Sequence, residues 1–394
     1  MRVAFIHNEK KIETGAHQIN NLMSRKLKSR GVEVVNVYPK LQLVDPPVKL
    51  RGLSNILFFY SLLEQRDEIL GCDLIQGTTY TPLTFLAFPI PVITHFGSTS
   101  YGFLRKTPRT KHLEKMYSDI LKEMKAAEVI GELDLKTRKP IKDIADIETY
   151  VAQRADAVIA TSEIVRNDLA KSGVPKSNVH VIHNAIEDFW FKDRSNRLAK
   201  PGVVFLGRLG NSVFDYKLKG VDRLLAMADE FPDVRFKLIG ITQNKKLHPW
   251  LSRRYPNIDV SLNLAKLEIK RMLGRQFGNI LYITSRYEGF SLSLIEGMSQ
   301  GLVPIAFPVG VAPEIIKDGV NGFLVESHKQ AVAAAKKILN STKTRRRMAL
   351  AAMQTAEKFS TDALADSLLE LYREVLARPR VTKLPKSVWA KRVK

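Results

Sequence analysis
At 394 residues with 45% apolar side chains, the chain exceeds one ordinary hydrophobic core and is expected to fold throughout as two domains. Its formal charge of +22 turns the surface toward polyanions such as acidic lipid, nucleic acid or phosphorylated substrates. The single cysteine, Cys72, excludes an intramolecular disulfide and a cysteine metal cluster and fits a reducing compartment, while the early polar turn after Met1–His7 argues against a signal peptide and no run approaches the ~20 apolar residues of a spanning helix.

Short runs of β-branched and apolar residues alternate with helix-like segments along the first half. Val3–His7 leads into a helix at about Ala16–Ser29, then Val32–Tyr38, a helix near Leu53–Leu70, Asp73–Gly77 and Val92–His95. A long helical stretch follows between about Thr110 and Lys125, then a helix near Ile144–Ala155 and a strand at Ala157–Thr161. The strands show little apolar–polar alternation, as expected when both faces are buried, and strand–helix alternation implies a parallel, doubly wound sheet. Residues 184–201 carry Trp190, several charges and little periodicity, and are expected to connect two domains. The pattern then restarts. Strands are expected at Val203–Leu206, Arg235–Ile239, Ile258–Leu262, Ile280–Thr284, Val303–Phe307 and Phe323–Val325. Helices are expected near Val221–Phe231, Lys266–Gln276, Ser291–Ser299, Gln330–Leu339 and Thr344–Lys358. The expected domains are therefore 1–183 and 202–360, with a helix at 361–377 returning to the first domain and a basic tail at 378–394.

The most informative segment is Ser285-Arg286-Tyr287-Glu288-Gly289-Phe290-Ser291-Leu292-Ser293-Leu294-Ile295-Glu296-Gly297. A strand, a short glycine-containing loop and a helix bring backbone N–H groups and a positive helix end to one point, which suits a phosphate. Ionised carboxylates on either side only accept hydrogen bonds, and each can take two from a vicinal diol. Phosphate together with polyhydroxyl groups points to a sugar nucleotide. A rival reading makes Ser293-Leu294-Ile295-Glu296 a capping box, but Ser291 is the better N-cap candidate and leaves Glu296 beyond the first turn.

With Glu288 and Glu296 in the order E-x7-E, the second half resembles the family 4 retaining glycosyltransferases of the GT-B fold. Further support comes from Phe205-Leu206-Gly207-Arg208-Leu209, from Lys219-Gly220 and from the run Pro313 to Val325. Val181-Ile182-His183-Asn184-Ala185-Ile186 looks like the family's entry into the second domain. The likeness is close over about residues 155 to 330 and loose before that. It implies two Rossmann-like doubly wound domains facing across a cleft, with the donor mainly on the C-terminal domain and the acceptor on the N-terminal one.

The resemblance assigns Arg208 and Lys219 to the leaving diphosphate, Glu288 to the donor-sugar hydroxyls and Glu296 to the ribose diol. It gives Gly289, Phe290, Ser291 and Leu292 to the donor through backbone N–H groups, with the Phe290 ring in the core. Lys217 rivals Lys219, because the loop after Arg208 is longer than is usual in the family. Gly15 stands in the loop that approaches the diphosphate, with Ala16 where a second glycine is frequent. No G-x-G-x-x-G occurs there, which argues against a nicotinamide cofactor. A lone histidine at a strand end, such as His95, is more often a satisfied structural group; the resemblance reverses that and places it beside the transferring sugar. Val311 replaces a frequent glycine after Gly310, and Glu314 either touches the sugar or caps the following helix. No metal is expected, protein cations filling that role, and the donor is a nucleotide sugar with UDP ahead of GDP as carrier.

The stretch 101–125 interleaves Arg105, Lys106, Arg109, Lys111, Lys115, Lys122 and Lys125 with apolar residues at helical spacing. It reads either as a helix on an anionic membrane or as a core-facing amphipathic helix with a solvated outer face. The tail from Arg378 holds seven cations and no acid, with Trp389 near its end, which suits a membrane surface or disorder. The expected function is hexose transfer from a nucleotide sugar to a hydroxyl acceptor, on a glycan or lipid-linked precursor, with retention, in the cytoplasm or at the membrane's inner face. The rivals are a non-catalytic polyanion- or membrane-binding protein of the same fold and a sugar-nucleotide epimerase; no nucleic-acid module accompanies the charge.

Overall fold
The computed structural model describes residues 1–8, 15–40, 53–106, 118–131 and 138–379. The chain divides into two compact units: Met1–Tyr101, Pro140–Ala185 and Thr361–Lys394 form the first, Gly102–Lys139 and Ile186–Ser360 the second.

In the first unit, β1 (Arg2–Ile6), β2 (Glu33–Val37), β3 (Leu74–Thr78), β4 (Val92–Phe96), β5 (Ala157–Ala160) and β6 (Val179–Val181) form a sheet ordered β2-β1-β3-β4-β5-β6. Every pairing is parallel. Strands β3, β4 and β5 are buried at every position, which is why their sequences do not alternate. The helix Thr361–Ala377 belongs to this unit: it buries Leu364, Leu368, Leu371 and Val375, and the Tyr372 hydroxyl donates to Gln76 Oε1 of β3 at 2.6 Å. Asp362 near its start pairs with Lys26 and Arg30.

In the second unit, β7 (Gly202–Arg208), β8 (Arg235–Ile241), β9 (Ile258–Leu262), β10 (Ile280–Ile283), β11 (Val303–Ala306) and β12 (Phe323–Leu324) are ordered β12-β11-β10-β7-β8-β9, again all parallel. The order reverses between β7 and β10. In open α/β sheets ligands bind beyond the carboxyl ends of the strands at such a switch point. Arg208 ends β7, and the loop to Glu288 leaves β10. The corresponding reversal in the first sheet lies between β1 and β3.

Three expectations change. The helix read near Leu53–Leu70 is two helices, Leu53–Leu63 and Arg66–Leu70. At the break, Gln65 Nε2 donates to the carbonyls of Tyr38 and Ser61. The first unit does not run unbroken to 183, because residues 102–139 belong to the second; there the helix Asp119–Ala126 buries Leu121 and Met124 in the second core, with Val129 and Ile130. The apolar face of this segment is therefore covered by protein, while 107–117 lie outside the described residues. The expected connection 184–201 also belongs to the second unit from Ile186 onward: Trp190 is fully buried and its carbonyl accepts from Gln300 Nε2 at 2.6 Å. Helices at Glu163–Lys171, Val213–Lys219 and Leu247–Arg254 were not anticipated.

Candidate active site
The geometry of the second unit starts from one glycine. The helix Val213–Lys219, opened by a Ser212–Asp215 capping box, ends at Gly220, and the helix Val221–Glu230 begins at once. Gly220 has φ +70°, and a Cβ there would stand 2.0 Å from the Thr284 carbonyl oxygen. Thr284 Oγ1 in turn donates to the Lys219 carbonyl at 2.7 Å. Lys219-Gly220 is thereby held against the end of β10. From that position Lys219 Nζ reaches Glu288 Oε1 at 2.6 Å, and Ser285 Oγ donates to the same oxygen at 2.8 Å.

Behind this pair lies a second set of charges. Arg286 makes a forked pair with Asp222, both bonds at 2.7 Å, and also donates to the Lys217 carbonyl. Arg223 donates to the Thr284 carbonyl at 2.9 Å and lies over the Phe307 ring, 3.4 Å from its centroid. Burial is the main cause that lowers the Arg223 pKa to about 10, with Arg286 adding to it. Lys217 is lowered by burial first and then by Arg286. Of the two rival lysines, Lys219 is therefore the one paired with Glu288, and Lys217 sits toward the Arg286–Asp222 pair.

The loop after Glu288 is fixed by Gly310. Its N–H donates to the Glu288 carbonyl and that of Val311 to the Phe290 carbonyl. At φ +54°, a Cβ on Gly310 would stand 2.3 Å from the Phe290 oxygen, so the first glycine of the frequent pair is required here. Val311, in the second position, is fully buried. Phe290 packs edge-on to Phe359, confirming its ring as core. Ser291 is the N-cap residue of the helix Leu292–Ser299, but it has φ 79° and its side chain makes no cap. A left-handed non-glycine residue at a site is a place where strain is held by the surroundings. Glu296 is the fifth residue of that helix, beyond the first turn, so no capping box forms with Ser293. Its side chain is only 12% exposed, with Lys266 Nζ 3.9 Å from Oε1. Burial is the chief cause that pushes Glu296 up to about 7; Lys266 lowers it and Glu187 raises it. Glu314 is exposed, on the short helix Ala312–Ile315.

In the first unit His95 occupies β4 at the register Thr78↔His95 and His95↔Ile159. It is buried, and burial lowers its pKa to about 4 against an opposing contribution from Asn184. Among the described residues its Nε2 has no hydrogen-bond partner. Gly15 is the first residue of the helix Gly15–Ser29, and the loop before it lies outside the described residues. Sequence reasoning passed over Glu148. Its oxygens accept from Ser100 N at 2.8 Å and Ser100 Oγ at 3.0 Å, and burial pushes it up to about 7. The signal was present: Glu148 interrupts the buried helix stripe Ala145, Val151, Ala152. Lys266 and Glu187 were passed over as well, and nothing local in the sequence distinguishes them from solvated charges.

Two doubly wound sheets, one with an acidic pair and a paired lysine at its switch point, define the GT-B architecture. Residues 175–355 match the family model of the glycosyl transferases group 1, and residues 15–188 that of Glycosyltransferase Family 4. The chain belongs to the family 4 type of glycosyltransferases. It is 27% identical over 264 residues to alpha-maltose-1-phosphate synthase of Mycolicibacterium smegmatis, covering 59% of this chain and 66% of that protein. The chain thus spans somewhat less than two thirds of that curated relative's length. Among solved structures, sucrose-phosphate synthase from Thermosynechococcus elongatus aligns with a TM-score of 0.70 at 17% identity, over 95% of this chain and 99% of that one. HepE from Anabaena, in complex with UDP-glucose, aligns with a TM-score of 0.66 at 15% identity, over 95% and 100%.

Proposed function
We propose that the protein transfers a hexose-type sugar from a nucleoside diphosphate carrier, UDP ahead of GDP, to a hydroxyl acceptor with retention of configuration. The observation that carries this reading is the Lys219–Glu288 pair at 2.6 Å, set at the switch point of the second sheet with Glu296 one loop and one helix turn further on. The solved complex of HepE with UDP-glucose supports the nucleotide sugar as the donor class.

In this reading the bond from the anomeric carbon to the diphosphate breaks and negative charge grows on the leaving oxygen. Arg208 and Lys219 stabilise that charge, together with the positive N-terminal end of the helix Leu292–Ser299. Glu288 accepts from the sugar hydroxyls and orients Lys219. Glu296 accepts from the ribose diol. The acceptor oxygen bonds to the anomeric carbon from the face the phosphate leaves, and its proton passes to the departing phosphate oxygen. Protein cations supply what a metal ion does elsewhere, so no metal is required. His95 borders the sugar, its Nε2 offering a hydrogen bond, and Gly15 lets the backbone approach the diphosphate. The acceptor is a glycan or lipid-linked precursor, reached at an anionic membrane surface through the basic tail; among the described residues no helix is long and apolar enough to cross a membrane.

Thermal-shift screening against UDP, GDP, ADP and their sugars tests the donor. A ligand at a hundred times its Kd adds about 2.7 kcal/mol to the folded state. Stabilisation by one nucleotide sugar, followed by transfer of that sugar to an acceptor, is the expected result. Binding without transfer or hydrolysis would favour a non-catalytic protein, and conversion of the donor with no acceptor present would favour an epimerase.

A further inference from the structure
Glu296 does not stand alone. Trp190 Nε1 donates to Glu187 Oε2 at 3.1 Å, Lys266 Nζ donates to Glu187 Oε1, and the same ammonium is 3.9 Å from Glu296 Oε1. Three segments meet in this row: the turn Asp188–Phe191 with its preceding Glu187, the first residue of the helix Lys266–Gly274, and the middle of the helix Leu292–Ser299. The side chains of Lys266, Glu187 and Glu296 are 30%, 21% and 12% exposed, so the row is partly shielded from water. Its inner end is fixed: Trp190 is fully buried and Gln300, at the C-terminal end of the Glu296 helix, donates to its carbonyl.

We propose that Lys266 is a positioning residue for the nucleoside end of the donor, its ammonium anchored by Glu187 beside Glu296 so that Glu296 meets a vicinal diol as a fixed carboxylate. The inference rests on the donor reading above and deepens it: it assigns how the diol is recognised. A buried carboxylate gains from a nearby cation and suffers from a nearby anion. Glu187 therefore has two opposed effects on Glu296, repelling it directly while holding the lysine that favours it. Among the described residues, the charged groups facing Glu296 from the elements around it are Lys266 and Glu187. Since Glu296 is pushed up to about 7, its carboxylate form is reached only as pH rises through that value, and removal of Lys266 moves the transition higher.

The test is the Kd of UDP and of 2′,3′-dideoxy-UDP, from pH 6 to pH 9, for the full chain and for Lys266→Met, Lys266→Arg and Glu187→Gln. The wild type is expected to prefer UDP over the dideoxy analogue, more strongly at high pH. Lys266→Met should lose about 10-fold or more in UDP affinity at pH 7, the order expected for weakening hydrogen bonds to a charged group. It should keep its affinity for the dideoxy analogue and shift the pH midpoint for UDP upward. Lys266→Arg should restore much of the preference, and Glu187→Gln should lose part of it. If Lys266→Met binds both nucleotides with equal losses, the residue is merely structural and the proposal fails. Wild-type affinity and pH profile in Lys266→Met would also overturn it, while leaving the donor site intact. Failure of the wild type to bind UDP, GDP or ADP at all would instead remove the donor reading, and this inference with it.

Discussion
Arg208 ends β7 with an exposed side chain, while Lys219 is fixed by its bond to Glu288, so the two cations are expected to differ in their sensitivity to substitution. Arg208→Ala should lower kcat by roughly 10²–10³, the usual scale for one oxyanion-type donor, and leave stability unchanged. Near-normal turnover in that variant removes Arg208 from the mechanism. Glu148 makes a prediction of another kind. Its folded value of about 7 lies above the ordinary 4.5, so between these values the folded state binds more protons than the unfolded one. Its stabilising contribution is full below about 4.5 and declines as pH rises through 7. Glu296 acts in the same direction. His95, lowered to about 4 from 6.5, acts oppositely: its contribution is full above 6.5 and is lost as pH falls through about 4. Glu148→Gln should therefore show a flatter dependence of Tm on pH and a Tm at pH 8 at least equal to wild type. A Tm several degrees below wild type at pH 8 would mean that the ionised carboxylate is itself a net asset to the fold.

At the level of elements, two adjoining helices depend on Gly220. A side chain there meets the Thr284 carbonyl rather than a movable group, and the left-handed φ adds strain. Gly220→Ala should cost more than about 3 kcal/mol, or displace Lys219 from Glu288 and abolish transfer. Chemical denaturation and a turnover assay separate the two, and an unaffected variant would show that the junction tolerates rearrangement. The helix Asp119–Ala126 carries its basic residues outward and buries Leu121 and Met124 in the second core. Beyond it, Gly131 N donates to the Asn211 carbonyl, and Asn244 Nδ2 donates to the Val129 carbonyl at 2.6 Å and to the Tyr216 hydroxyl. The segment thus braces the loop between Arg208 and Lys219. Leu121→Ala should destabilise the second unit by about 2–5 kcal/mol, the range for emptying a buried leucine site. Unchanged stability with impaired liposome binding would instead make this helix a membrane face.

For the whole molecule, a nucleotide that binds the second unit stabilises that unit's unfolding transition by linkage. UDP is expected to raise the calorimetric transition of the unit holding Lys219, Glu288 and Glu296, an assignment checked by its loss in Glu296→Gln. The charge of +22 makes a separate prediction: flotation with vesicles containing acidic lipid, weakened by salt and by removal of residues 380–394. Absence of binding at low salt would sever the charge from any membrane role.

Much of this was legible beforehand because it depends on local chemistry. Unalternating β-branched runs announce doubly buried parallel strands, and E-x7-E between a strand and a helix marks the two carboxylates proposed to meet the donor. What the sequence could not supply were partnerships between distant segments. Whether Lys217 or Lys219 meets Glu288 depends on how a helix end docks on β10. The assignment of 102–139 to the second unit depends on which core receives Leu121 and Met124. The row Trp190–Glu187–Lys266–Glu296 draws on three separated stretches of chain. Periodicity records which faces are apolar but not what they face, and a charge in the sequence carries no record of the opposite charge it meets. Those pairings, and the shift toward the neutral form that burial imposes on His95, Glu148 and Glu296, are properties of the folded chain alone.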